Sequence, residues 1–357
     1  MGYQKVYLKT INGFFDFDMR RYKTDSGLKT WLDLTQVYSL GRGYESPLLQ
    51  AYYLEWSKYL SYEKVSDLLE TRIGNGRLSD QHIFNKVSAY AAEIATFQSS
   101  QIKSWEDAQI SEIMGESVDI YEEKSKEVLF YSDGVGVGEQ KQKRDKIAKE
   151  GKERTNINIM MLQIPSKTAT ATFETMIAGE GIDEVKLAKS VLHTHYQGLS
   201  SLPVVCISDG ATCLKNQNKA IFGQNVRHIL DWYHLSAKIK QLMSQIASNK
   251  AIKEEMIALL LNYLWQGKTI TALIALKFLV PKNKVKHQEL IGYLEKNEAY
   301  IIDYERRQKA GKSIGSGRME KQNDLIVAKR QKRKGMAWSA KGARNLAIVT
   351  AYHKYSA

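Results

Sequence analysis

The chain has 357 residues, enough to bury a full core and to divide into two or three domains, and its 43% hydrophobic and 25% charged content is ordinary for a globular protein. Its 52 lysines and arginines outnumber 39 acids, leaving a net charge of +13 that calls for an extended anionic partner, nucleic acid before membrane, because no amphipathic basic anchor stands out. No apolar run marks a signal peptide, residues 269–280 are too few and too polar to span a bilayer, and Cys206 and Cys213 form no zinc-binding pair, so a soluble cytoplasmic protein with two reduced core thiols is expected.

Residues 1–45 read as a small β-containing lead-in, with short strands near Lys5–Leu8 and Phe14–Phe17. At Ser46 the hydrophobic period becomes helical: Pro47 opens a helix whose Leu48, Leu49, Tyr52, Tyr53, Trp56 and Leu60 recur at three and four. Ser61 caps a second, short helix, residues 73–78 turn, and Ser79 caps a third helix running toward Ala95. Short helix, glycine turn, helix is the pattern of a helix-turn-helix, which would present Gln81, His82, Asn85 and Lys86 to DNA. A helical bundle with a glycine linker is the other reading; the positive charge favours DNA binding. Acid-rich residues 98–126 read as helix and linker and close a 46–126 segment.

A catalytic core is expected over 127–235. Val128–Tyr131 is a strand that ends at Ser132-Asp133-Gly134; the following Gly-x-Gly-x-Gly lacks the Gly-Lys-Ser/Thr of a phosphate loop and reads as a flexible continuation of the strand. A basic tip carrying Lys141, Lys143 and Arg144 leads to an antiparallel strand over Thr155–Ile164, and a helix follows from about Glu174 to Gly198. Val204–Ile207 stop at Ser208-Asp209-Gly210, a helix spans 211–222, and Val226–Leu230 stop at Asp231. Strand, helix, strand at that spacing makes the two strands parallel and brings both acids to one sheet edge, where α/β proteins place their chemistry. Carboxylates gathered there repel one another unless a cation lies between them.

A hairpin, further strand material, a helix and two parallel acid-bearing strands compose the layout of a ribonuclease H-like α/β domain with a mixed sheet, which needs a third acid on a helix from beyond the sheet. Residues 236–312 form an all-α block, after which Gly315-Ser316-Gly317 precede a helix opening with Glu320. That glutamate is either the third acid or an ordinary first-turn helix acid. The last segment, 313–357, carries a basic cluster for DNA: Arg318, Lys329, Arg330, Lys332, Arg333 and Lys334.

I-S-D-G-A at 207–211, I-L-D-W-Y-H-L at 229–235, G-S-G-R-M-E at 315–320 and G-M-A-W-S at 335–339 resemble the bacterial insertion-sequence transposases of the Kra group, relatives of the Mutator-type DDE enzymes. The resemblance runs from about Ser46 to the C-terminus. It implies that Asp133, Asp209 and Glu320 form a metal-binding DDE triad, that Asp231 and His234 form a D-x-x-H element, and that 236–312 is an insertion domain. It further implies Mg²⁺ or Mn²⁺ as cofactor, terminal inverted repeats and target DNA as partners, a homodimer or larger assembly on DNA, and a nucleoid-associated place in a bacterial cytoplasm. Two Mg²⁺ ions about 4 Å apart would then serve hydrolysis and strand transfer, with Asp209 bridging them.

His234 would orient a phosphate or a ligand carboxylate; alternatively, Asp231 caps the helix and His234 packs in its first turn. Trp232 and Trp338 are core aromatics or stack on a flipped base. Relatives often carry paired cysteines near the N-terminus, where this chain has Arg20-Arg21-Tyr22-Lys23. An end-binding regulator that does not cut, and a nuclease that hydrolyses without joining, are the competing readings.

Overall fold

Residues 2–25, 27–30, 44–109, 111–140, 154–167, 170–333 and 336–353 are described by a computed structural model. The expected DNA-binding residues Lys141, Lys143, Arg144 and Lys334, and the basic tip of the hairpin, lie outside the described residues. The chain divides into two units, one of Met1–Ile94, Val137–Thr155 and Ile326–Ala357, the other of Ala95–Gly136 and Asn156–Leu325, boundaries that cut across the five segments read from the sequence.

In the first unit, strands Gly2–Thr10 and Gly13–Thr24 form an antiparallel hairpin, flanked by Gly27–Thr30 on one side and by Tyr44–Glu45, parallel, on the other. The three expected helices follow as Pro47–Ser57, Tyr62–Ile73 and Asp80–Asp107. Each starts where a serine hydroxyl accepts from a first-turn amide: Ser46 from Leu49 (3.2 Å), Ser61 from Lys64 (3.3 Å) and Ser79 from His82 (3.1 Å). The third runs to Asp107 rather than stopping near Ala95, because its apolar positions Ile83, Val87, Ala91, Ile94 and Ile102 keep the helical period. A closing helix, Ala340–His353, packs against Pro47–Ser57.

The second unit holds a five-stranded sheet in the order Arg227–Leu230, Val204–Ser208, Val128–Gly138, Arg154–Ile164, Thr172–Met176. The first three are mutually parallel and the last two antiparallel. Leu129 lies against Gln163 and Gly134 against Asn156, so the two strands of the expected hairpin also run antiparallel. Val204–Ser208 is buried at every residue, as a strand covered on both faces must be. Phe130, Val204 and Cys206 on one face pack with Leu187, Val191, Ile221 and Phe222 of helices Glu184–His195 and Thr212–Phe222. The all-α block appears as Trp232–Ile246, Lys250–Trp265, Thr269–Lys277, Lys284–Asn297 and Tyr304–Lys309. Among the described residues no helix is long and apolar enough to cross a membrane.

The Val128 strand continues through the glycine-rich stretch to Gly138, as expected, with Val135 and Val137 buried. Two expectations are corrected. The helix expected from Glu174 begins only at Glu184, where Asp183 accepts from Lys186 N at 2.9 Å; the alternating Thr172–Met176 stretch is the fifth strand. Cys206 is buried as expected, but Cys213 is exposed, on the first turn of its helix.

His228, on the outer strand, is 6% exposed, and neither ring nitrogen has a hydrogen-bond partner among the described residues. Burial, with help from Lys219, Lys215 and Arg227, pushes its pKa from 6.5 down to about 4. Because the unfolded imidazole takes up its proton first, stability is lost as the pH falls from about 6.5 to about 4. The loss amounts to about 3 kcal/mol at roughly 1.4 kcal/mol per unit. Urea unfolding at pH 7 and pH 4.5 is expected to show a stability difference that shrinks by about that amount in His228→Leu.

Candidate active site

Three aspartates stand at one level of the sheet because of its register. Ile207 pairs with Tyr131 on one side and with Ile229 on the other, so Asp133, Asp209 and Asp231, each two residues further on, arrive together at the carboxyl edge of three neighbouring parallel strands. Their environments then separate them.

Asp231 is fully buried. One oxygen caps the Trp232–Ile246 helix, accepting from Tyr233 N (2.6 Å) and His234 N (3.0 Å); the other accepts from Ser316 N (2.5 Å) and from the Ser316 hydroxyl. Burial alone would push this carboxyl up, but the hydrogen bonds from His234 and Ser316 outweigh it and hold the pKa below the ordinary value. Of the two readings of Asp231, the geometry matches the helix cap: with both oxygens engaged and no exposed surface, it positions the first turn of a helix and the chain around Ser316. Gly315 permits this approach, since a Cβ there would strike the Tyr233 ring and sit 3.3 Å from Asp231 Oδ1.

Asp133 and Asp209 are half-buried. Asp209 Oδ1 accepts from Ala211 N at 2.9 Å in the turn that opens the Thr212–Phe222 helix. Gly210 between them has φ +86° and packs against Leu230 and Asn297, so only glycine fits. Asp133 accepts from its neighbour Gly134 N at 2.7 Å and from Asn323 Nδ2 at 2.6 Å. Burial first, and then the charge of Asp209, raise the Asp133 pKa despite those hydrogen bonds. The two acids repel each other across adjacent strands.

The loop fastened to Asp231 by Ser316 opens the short helix Gly317–Asn323, which carries Glu320 and, one turn on, Asn323. Glu320 is exposed and adds to the field at His234. His234 Nδ1 lies 3.4 Å from Asp231 Oδ2, and its side chain is 37% exposed. Asp231 is the main cause of a pKa pushed up to about 9, with Glu320 and Asp133 contributing, so the imidazole is cationic at neutral pH. Asn323 and Ser316 were not singled out from the sequence; the three-residue spacing of Glu320 and Asn323 on one helix face was the available signal.

Hard oxygen donors at Asp133 and Asp209 have the chemistry a divalent cation needs. Among the described residues no three His, Cys, Asp or Glu side chains gather closely enough to hold one ion; Asp133 and Asp209 stand as a pair, with Glu320 on the adjoining helix.

The residues expected to touch DNA separate as well. Gln81 and Asn85 are exposed and hydrogen-bonded to each other (2.9 Å). His82 and Lys86 instead turn to the buried carboxylate of Glu45, at 2.5 and 3.2 Å, where Tyr53 also donates at 3.0 Å. Arg318 is exposed, with its guanidinium 5.4 Å from the Phe173 ring centroid. Lys329, Lys332 and Arg333 are exposed, whereas Arg330 is 3% exposed and donates to Leu60 O at 2.8 Å. Trp232 is half-buried and packs against Trp265 and Tyr304, with ring centroids at 4.8 and 5.0 Å.

No protein-family model and no curated protein matches the sequence. Among solved structures, a chain of the Drosophila P element transposase strand transfer complex aligns with 90% of this chain over 81% of its own length, at 8% identity and a TM-score of 0.25. A likeness this low bears on neither fold nor function.

Proposed function

We propose that the chain is a DDE-type transposase that binds the ends of its insertion sequence and carries out divalent-metal-dependent DNA cleavage and strand transfer. The reading rests on one observation, the pair Asp133 and Asp209 level with each other at the ends of adjacent parallel strands, half-buried and mutually repelling. The sheet order supports it: the first strand of the core lies at the centre, two antiparallel strands lie on one side and two parallel strands on the other, the arrangement of a ribonuclease H-like core.

In this reading Asp133 and Asp209 hold Mg²⁺ or Mn²⁺, and Glu320 is the third carboxylate. When bound, such an ion supplies positive charge to the oxygens exchanged at phosphorus. The remaining roles belong to the chain. Asn323 holds the Asp133 carboxylate in place. The cationic His234 faces the acids and is suited to a scissile phosphate. Asp231 anchors both the His234 turn and the Glu320 helix. Exposed Arg318, Lys329, Lys332 and Arg333, with the net charge of +13, suit duplex DNA, on which pairing of two ends implies at least a dimer.

The test is a supercoiled plasmid bearing the DNA that flanks the coding sequence, incubated with the full chain. Nicking and joining are expected with Mg²⁺ or Mn²⁺ and not with EDTA. No metal-dependent cleavage rejects the reading, and cleavage without joining replaces it with a hydrolytic nuclease. Replacing Lys329, Lys332 and Arg333 with glutamine is expected to weaken DNA binding whatever the sequence and to flatten the plot of log affinity against log salt by about one unit for each phosphate no longer neutralised. An unchanged slope removes these residues from the interface.

A further inference from the structure

The unit formed by Met1–Ile94, Val137–Thr155 and Ile326–Ala357 contains a cavity of about 400 Å³ that the proposed chemistry does not use. Its walls are aromatic: Tyr62 meets Phe84 and Trp338 edge-on, with ring centroids 5.9 and 6.5 Å apart. Trp338 is held rigidly, its backbone amide donating to Gly138 O and its carbonyl accepting from Gln140 N, both at 2.9 Å, while its ring nitrogen donates to Gln331 O at 3.2 Å. Such an arrangement presents a fixed planar face at little entropic cost.

The polar lining is equally specific. Arg330 is almost wholly buried, and among the described residues it makes no ion pair; its guanidinium lies 4.7 Å from the Trp338 ring centroid and 5.9 Å from that of Tyr62. The Tyr62 hydroxyl is buried with no hydrogen-bond partner among the described residues. Gln81 and Gln140 add carboxamides, which can pair with both a donor and an acceptor on one edge of a heterocycle. Exposed Glu63 and Asp80 also line the cavity and can accept from an exocyclic amine, but their charge disfavours a phosphate.

We propose that this cavity receives one unpaired nucleobase of a bound DNA strand, stacked against Trp338 and read at its edge by Gln81 and Gln140. Flat aromatic faces, an unpaired buried cation that favours π-stacked ligands, and amide edges together define a heteroaromatic base rather than an aliphatic or peptidic ligand. The inference rests on the reading that the chain handles DNA, and the experiment separates the two.

Full-length chain would be irradiated with a duplex carrying 5-iodouracil either in a single-base bulge or paired. Cross-links from the bulged position are expected at Tyr62, Phe84 or Trp338, with none there from the paired position; labelling elsewhere overturns the proposal. By fluorescence anisotropy, wild-type chain is expected to bind the bulged duplex about tenfold more tightly than the same duplex with an abasic bulge. Trp338→Leu should erase that difference and Trp338→Phe should keep it. Equal affinity for base-bearing and abasic bulges overturns the cavity's role while DNA handling stands, whereas no binding to any DNA removes both. Should Trp338→Leu fail to fold by its melting curve, the wild-type cross-link and the abasic comparison still decide.

Discussion

Asp209→Asn is expected to lower metal-dependent cleavage and strand transfer about a thousandfold or more, since losing one carboxylate ligand removes several kcal/mol of stabilisation from the transition state, at about 1.4 kcal/mol per factor of ten. The fold should survive. The asparagine carbonyl can still accept from Ala211 N, and the side chain is only half-buried. Removing the negative charge also relieves its repulsion of Asp133, whose pKa is then expected to fall toward the ordinary carboxylate range. The variant without metal should therefore melt no lower than wild type and bind DNA ends normally. A second readout needs no turnover: Mg²⁺ or Mn²⁺ should raise the wild-type Tm and leave the variant's unchanged. Strand transfer at the wild-type rate would reject the assignment outright.

Asp231→Ala is expected to behave in the opposite way. It removes an acceptor of four hydrogen bonds in a fully buried place and strands the Ser316 amide and hydroxyl. The loss should be about 3 kcal/mol, combining a missing helix cap with unsatisfied buried groups, and roughly 4 °C in Tm. His234 also loses the main cause of its raised pKa, so its imidazole should titrate well below the present value of about 9, visible by NMR in the folded fraction. If Asp231→Ala melts like wild type but loses activity, its role is chemical and the cap is incidental.

How much of this was legible in the sequence depends on how local the cause is. The parallel pair carrying Asp209 and Asp231 could be read because Val204–Ile207, the glycines and the intervening helix all lie within one short stretch, and the serine caps at 46, 61 and 79 are similarly local. That the three aspartates stand level follows from register, which the sequence implies only once strand pairing is known. What stayed hidden was decided by distant partners. Glu45 draws His82 and Lys86 inward from the face that looked free for DNA. Arg330 sits in a run of basic residues that reads as solvated surface, yet Leu60 and two aromatic rings bury it. Ser316 and Asn323 gain meaning only because the chain returns to Asp231 and Asp133 from 85 and 190 residues away.

A methyl group at Gly315 would have to displace the Tyr233 ring and press on Asp231. If the proposed chemistry holds, a single codon change to alanine at a position bearing no functional group could therefore disturb the anchor of the Glu320 helix and silence a lineage. Its descendants would still display every acid, so an inventory of conspicuous motifs would count them among the living.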